Sequence, residues 1–100
     1  MFSFVIQEKV WKYPGKGGWS FITLPKNISS EIRSMIPLLQ VVGFGFIKIK
    51  ATVGNSSWNT TLFPTKEGNY LLSLQSKIRK QEHIQEGDCI SVTFELLTHL

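Results

Sequence analysis

The 100-residue sequence predicts a mainly β fold: a small six-stranded closed or pseudo-closed β-barrel with two short helices. Three observations lead there. Apolar and polar residues alternate at period two in run after run. Clusters of Gly, Pro, Asn or Ser separate the runs, and only two short segments change to a helical period. A chain of this size hides roughly 65% of the surface it exposes when unfolded, enough for one core, so a single domain over residues 1–100 is expected. Six short strands must shield their edges, and a closed sheet capped by the two helices does so economically.

The first strand is expected over residues 2–11, where Phe2, Phe4 and Ile6 alternate with Ser3 and Gln7, and Val10 with Lys9 and Trp11. Pro14 and three of the next four residues, Gly15, Gly17 and Gly18, make a turn with positive φ angles, returning the chain as an antiparallel strand over 19–24 that Pro25 closes. Ile28, Ile32, Met35 and Ile36 then fall on one stripe of a short helix. Asn27 or Ser29 is the expected N-cap, and Pro37 the stop, because a proline pushes the residue before it out of the helical region. Residues 38–42 are apolar without a clear period and fit a short strand or a packed loop equally.

From Gly45 the alternation is clean: Ile47, Ile49, Ala51 and Val53 face one way, and Phe46, Lys48 and Lys50 the other. Residues 54–57 form the expected turn, 58–63 the returning strand until Pro64, and 65–69 a second turn. Tyr70, Leu72 and Leu74 mark a fifth strand. Ser76 is the expected cap of a helix holding Lys77, Ile78, Arg79, Lys80 and Gln81 and ending near His83. Glu86-Gly87-Asp88 is a turn, and Ile90, Val92, Phe94 and Leu96 face inward on the last strand.

Eleven Lys and Arg against seven Asp and Glu give a formal charge of +4, which permits an anionic partner without demanding one. The single Cys89 has no partner for an internal disulfide and suits a reducing cytoplasm. No run resembles a signal peptide or approaches the length of a membrane span, so a cytoplasmic location without membrane contact is expected. On that ground the triplets beginning at Asn27, Asn55 and Asn59 are chance matches to a glycosylation signal.

Catalytic patterns are missing. Carboxylates are scattered singly except Glu86 and Asp88, which bracket a turn glycine, and a turn Asp usually bonds its own backbone. His83 and His99 have no His or Cys at metal-ligand spacing, so neither metal nor cofactor is expected. No Ser lies in a Gly-x-Ser-x-Gly turn or a Ser-x-x-Lys helix start. The glycine turn at 14–18 joins strands, unlike a phosphate-binding loop that leads into a helix, and Gly43-Phe44-Gly45 lacks the third glycine of a dinucleotide fingerprint. What remains is a set of cations and aromatics: Lys48 and Lys50 on one strand face, Lys77, Arg79 and Lys80 on the second helix, and Trp11, Trp19, Trp58 and Tyr70 among the strands. The four aromatics are expected in the core, which a barrel of this size must fill.

Gly43-Phe44-Gly45, residues 50–54, Trp58-Asn59-Thr60-Thr61-Leu62-Phe63-Pro64, residues 68–72, Lys77-Ile78-Arg79-Lys80 and Glu86-Gly87-Asp88, with an early strand ending in Leu24-Pro25, resemble the domain of unknown function 1905 family in order and spacing. The resemblance spans nearly the whole chain. It implies a small barrel with short helices, distantly like AbrB- and MazE-type swapped-hairpin barrels that bind DNA as dimers, and it implies no established activity. Two places depart from the family pattern: Leu72-Ser73-Leu74, where relatives often carry Leu-Pro-Val or Leu-Pro-Leu, and His83-Ile84, where a Gly usually precedes the apolar residue.

The expected function is a non-enzymatic binding module for an anionic ligand or nucleic acid. Lys48, Lys50, Lys77, Arg79 and Lys80 would contact the anion, and Trp58 or Tyr70 would form a stacking wall. Two other readings stand beside it. One is a small-molecule pocket, catalytic or not, around Arg79 and Asp88; the other is an assembly domain whose exposed strand pairs with another protein or with a second copy as a homodimer.

Overall fold

The computed structural model describes residues 2–99. The chain runs β1 (Phe2–Lys9), β2 (Trp11–Lys12), β3 (Ser20–Thr23), α1 (Lys26–Ser34), a 3-10 turn (Ile36–Leu38), β4 (Val41–Val42), β5 (Phe46–Val53), β6 (Ser56–Pro64), β7 (Tyr70–Leu74), α2 (Ser76–Gln81) and β8 (Cys89–Leu96). The strands form one antiparallel sheet in the order β1-β8-β5-β6-β7-β3-β2, with β4 paired to the start of β5.

The mainly β fold with two helices is as expected, but the closed six-stranded barrel is not. The sheet has eight strands and is an open, curled half-barrel whose path ends at β1 and β2. The reason lies at Val10. The run expected as one strand over 2–11 keeps its alternation, yet its two parts pair with different neighbours, β1 with β8 and β2 with β3. Val10 between them is buried and gripped by the turn before β8: its N–H donates to the Asp88 carbonyl and its own carbonyl accepts from Gly87 N–H, both at 2.8 Å. Periodicity tells which side chains are covered, not which strand the backbone bonds.

The inner face of the curl is the core. Ile22, Ile47, Ile49, Ala51, Leu62, Leu72, Val92 and Phe94 are all fully buried, joined by Leu24 and by Ile32 from α1. Each large apolar side chain sealed there contributes about 1.5–3 kcal/mol. The inward alternation expected for β5 and β8 is present. Residues 38–42, ambiguous in sequence, supply the end of the 3-10 turn, a bridge from Leu39 to Thr98, and β4.

Neither helix is capped as expected. Pro25 and Gln75 occupy the N-cap positions, with no side-chain cap bond at either. Ser29 instead buries its hydroxyl, which accepts the Tyr70 N–H at 3.0 Å and ties α1 to β7. The first helix stops at Ser34, and Pro37 sits in the 3-10 turn that follows. The second buries Ile78 and ends with Glu82 N–H on the Ile78 carbonyl and Ile84 N–H on the Arg79 carbonyl. That closure needs a left-handed residue before the buried Ile84, and His83 supplies it at φ 55°.

Candidate functional site

Alternation that fills the inner face also decides what the outer face carries. Trp11 and Phe21 are register partners on β2 and β3, with rings 5.2 Å apart. Phe21 meets Phe63 of β6 at 6.0 Å, and Phe63 meets Phe46 of β5 at 5.3 Å, making a row of rings across the outside of the sheet. Trp19, in the turn leading to β3, stacks on Phe21 at 6.3 Å with the ring planes 12° apart. The indole of Trp11 is fixed by a 2.9 Å hydrogen bond to the Thr23 hydroxyl.

Trp19 was expected in the core and is instead 54% exposed, with Tyr13 beside it at 52%. These two with Phe21 and Phe63 line an open cleft of about 310 Å³, almost wholly apolar. The glycine turn holds this arrangement. Tyr13 N–H donates to the Trp19 carbonyl at 2.8 Å. Gly17, at φ 104°, lies so close under the indole that a Cβ there would stand 3.1 Å from its ring atoms.

Trp19 is also a wall of a second cleft of about 270 Å³, lined by Gly17, Gly18, Ser73, Gln75, Ser76 and Arg79. The guanidinium of Arg79 spans from α2 to the turn, donating to the carbonyls of Leu74 at 3.3 Å and Gly18 at 3.4 Å. Ser76 and Arg79 then border a third cleft with Lys80 and His83. The three clefts share walls, Trp19 between the first two and Ser76 and Arg79 between the last two, and are taken together as the groove.

The sequence-predicted residues fall into three places. Lys48 and Lys50 are exposed on the outer face of β5, with Glu95 and Asn59 as the register partners of Lys50 on β8 and β6. Arg79 and Lys80 belong to the groove, while Lys77 shares a cleft of about 460 Å³ with Trp58, Ser56 and Gln81. Trp58 and Tyr70 are buried, as their core reading expects. The Trp58 Nε1 is sealed without a hydrogen-bond partner among the described residues. Tyr70 lies 5.9 Å beneath the Arg33 guanidinium, and burial raises its hydroxyl above the ordinary pKa of 10.0, against a smaller lowering by Arg33. Asp88 accepts Gln85 N–H at 2.8 Å within its own turn and does not line the clefts that hold Arg79.

The residues missed as a site are Tyr13, Trp19, Phe21 and Phe63. Their signal was parity: Phe21 and Phe63 each adjoin a core residue, Ile22 and Leu62, and so must face outward. Aromatics on an outward face need a reason. Among the described residues, no three of His, Cys, Asp and Glu come together in a metal-binding group, and no helix is long and apolar enough to cross a membrane. The groove offers ring stacking, hydroxyls and fixed positive charge.

No curated protein matches the chain significantly. The family described as a domain of unknown function (DUF1905) matches residues 7–94, which include both helices and every residue of the groove, and the chain belongs to that family.

Proposed function

We propose that this protein is a non-enzymatic binding module that holds a single-stranded nucleic acid in the groove beside Trp19. Bases stack in the ring-lined cleft, and phosphates lie against Arg79 and Lys80, with Lys77 nearby on α2. The observation that carries this reading is the position of Trp19, half exposed and shared as a wall between an aromatic cleft and an arginine-bearing one. Stacked bases and paired phosphates are the two requirements of sequence-tolerant single-strand binding.

Titration of labelled single-stranded RNA and DNA, with duplex DNA as the control, tests it. Single strands are expected to bind, and with three phosphate contacts affinity should fall about 20-fold between 50 and 200 mM salt. Trp19→Ala should weaken binding about 5- to 150-fold, the worth of one stacked base. Salt-independent binding, or an unaffected Trp19→Ala, would sink the proposal.

An assembly role is the second reading. It is favoured by β1, an eight-residue strand at the end of the sheet, whose ladder among the described residues is to β8 alone. Sedimentation decides it: a monomer at all concentrations removes the homodimer.

A further inference from the structure

We propose that the cleft between the glycine turn and α2 is a phosphate-binding subsite, so that the smallest unit recognised is a nucleoside monophosphate. Its base lies against the Trp19 indole and its phosphate on Arg79. This rests on the reading that the Trp19 groove is the ligand site, and adds which end of the ligand goes where.

Four observations converge. Arg79 is half-buried and positioned by two long hydrogen bonds to carbonyls, Leu74 and Gly18, neither of them a carboxylate. A guanidinium carries five N–H donors, so most of its fork is available for an anion, and its planar geometry matches phosphate oxygens. Among the described residues, no acidic side chain lines the cleft. Ser76 and Gln75 present side chains that make no hydrogen bond among the described residues, whereas the nearby Ser73 hydroxyl is engaged with Thr60 at 3.2 Å.

The turn adds backbone donors. Among the described residues, the amide nitrogens of Gly17 and Gly18 have no hydrogen-bond partner. Both residues have positive φ, at 104° and 63°, and a Cβ at Gly18 would meet nothing within 4 Å, so open space adjoins this backbone. Backbone amides in such turns are a recurring element of anion sites. Lys50 makes the contrast: it stands on an open sheet face with Glu95 as its register partner, where a phosphate would find one mobile ammonium and a carboxylate nearby.

The experiment is a titration of the ¹⁵N-labelled full chain with inorganic phosphate, adenosine monophosphate and adenosine, followed by cross-peak shifts. Phosphate and the monophosphate should shift the amides of Gly17 and Gly18 and the Arg79 Nε–H saturably, while adenosine moves the Trp19 indole N–H and leaves those amides in place. Arg79→Lys, which keeps the charge and loses the fork, should weaken the monophosphate about tenfold. Because Arg79 also joins α2 to the turn, Ser76→Ala serves as the second variant and should weaken it several-fold in a protein with unchanged melting. Phosphate shifts that fail to saturate or spread over the lysine surface, or a monophosphate bound no tighter than adenosine, would overturn the subsite. Oligonucleotide binding that survives such a result leaves the groove reading standing and removes only the subsite. Saturable phosphate shifts at Arg79 without oligonucleotide binding support the subsite and overturn the single-strand reading.

Discussion

One sheet carries two different outer faces over a common core. Across β1, β8, β5 and β6 the outward register row is Ser3, Glu95, Lys50 and Asn59, and the next is Val5, Thr93, Thr52 and Ser57, where the Thr52 and Ser57 hydroxyls meet at 2.9 Å. Across β6, β7, β3 and β2 the outward rows are Phe63, Leu71 and Thr23, then Ser73, Phe21 and Trp11, with Phe46 of β5 packed on Phe63. The inner core asks the same of both halves, and it does not account for the exposed rings of Trp19 and Tyr13 beside the buried Phe21. The difference separates what folding needs from what folding leaves over for recognition, and it puts the candidate site on the ring-bearing half.

That contrast can be broken by measurement. The largest effect belongs to neither outer face: Phe94→Ala, on the inner side beneath the polar half, should cost about 3–5 kcal/mol, seen as a large drop in denaturation midpoint. A small loss would mean that the core is not shared as described. Gly17→Ala should cost about 1–3 kcal/mol, because the new side chain must accept φ 104° and displace the indole above it. Its tryptophan emission should shift with Trp19, and unchanged emission would show that the turn does not position the ring.

His83→Gly should stabilise the fold by about 1 kcal/mol, roughly a 4–8 °C rise in Tm, by relieving the left-handed residue at the end of α2. An unchanged or lower Tm would show that the left-handed residue at the end of α2 carries no strain. Smallest of all, Lys48→Ala with Lys50→Ala should alter stability by no more than about 0.5 kcal/mol. Binding should be retained in a single-strand titration, and a marked loss would move the site to the polar half.

Much of the fold was legible because burial writes a period into the chain. The inward sets of β5 and β8 follow alternation directly, and the glycine turn before Trp19 and the Glu86-Gly87-Asp88 turn follow from residues that tolerate positive φ or bond their own backbone. What escaped depended on partners far along the chain. Nothing local marks Val10 as the place where one run changes neighbours, since its grip comes from Gly87 and Asp88. The cations of α2 could be named from sequence, but their meeting with Trp19 requires β3 to pair with β7, which brings Gly18 to Arg79 across 61 positions. Trp19 itself was misjudged because bulk suggested filling, whereas its place at a turn beside Phe21 left one face of the ring uncovered.

The junction at Val10 also limits how the half-barrel can breathe. Lys9 and Trp11 border opposite rims of the curl, and two residues of chain reach about 7 Å at most, so the rims are leashed together at that corner. Any widening must therefore swing like a gate about this hinge, greatest where β1 begins and least beside the glycine turn. The groove lies beside the corner that this leash holds.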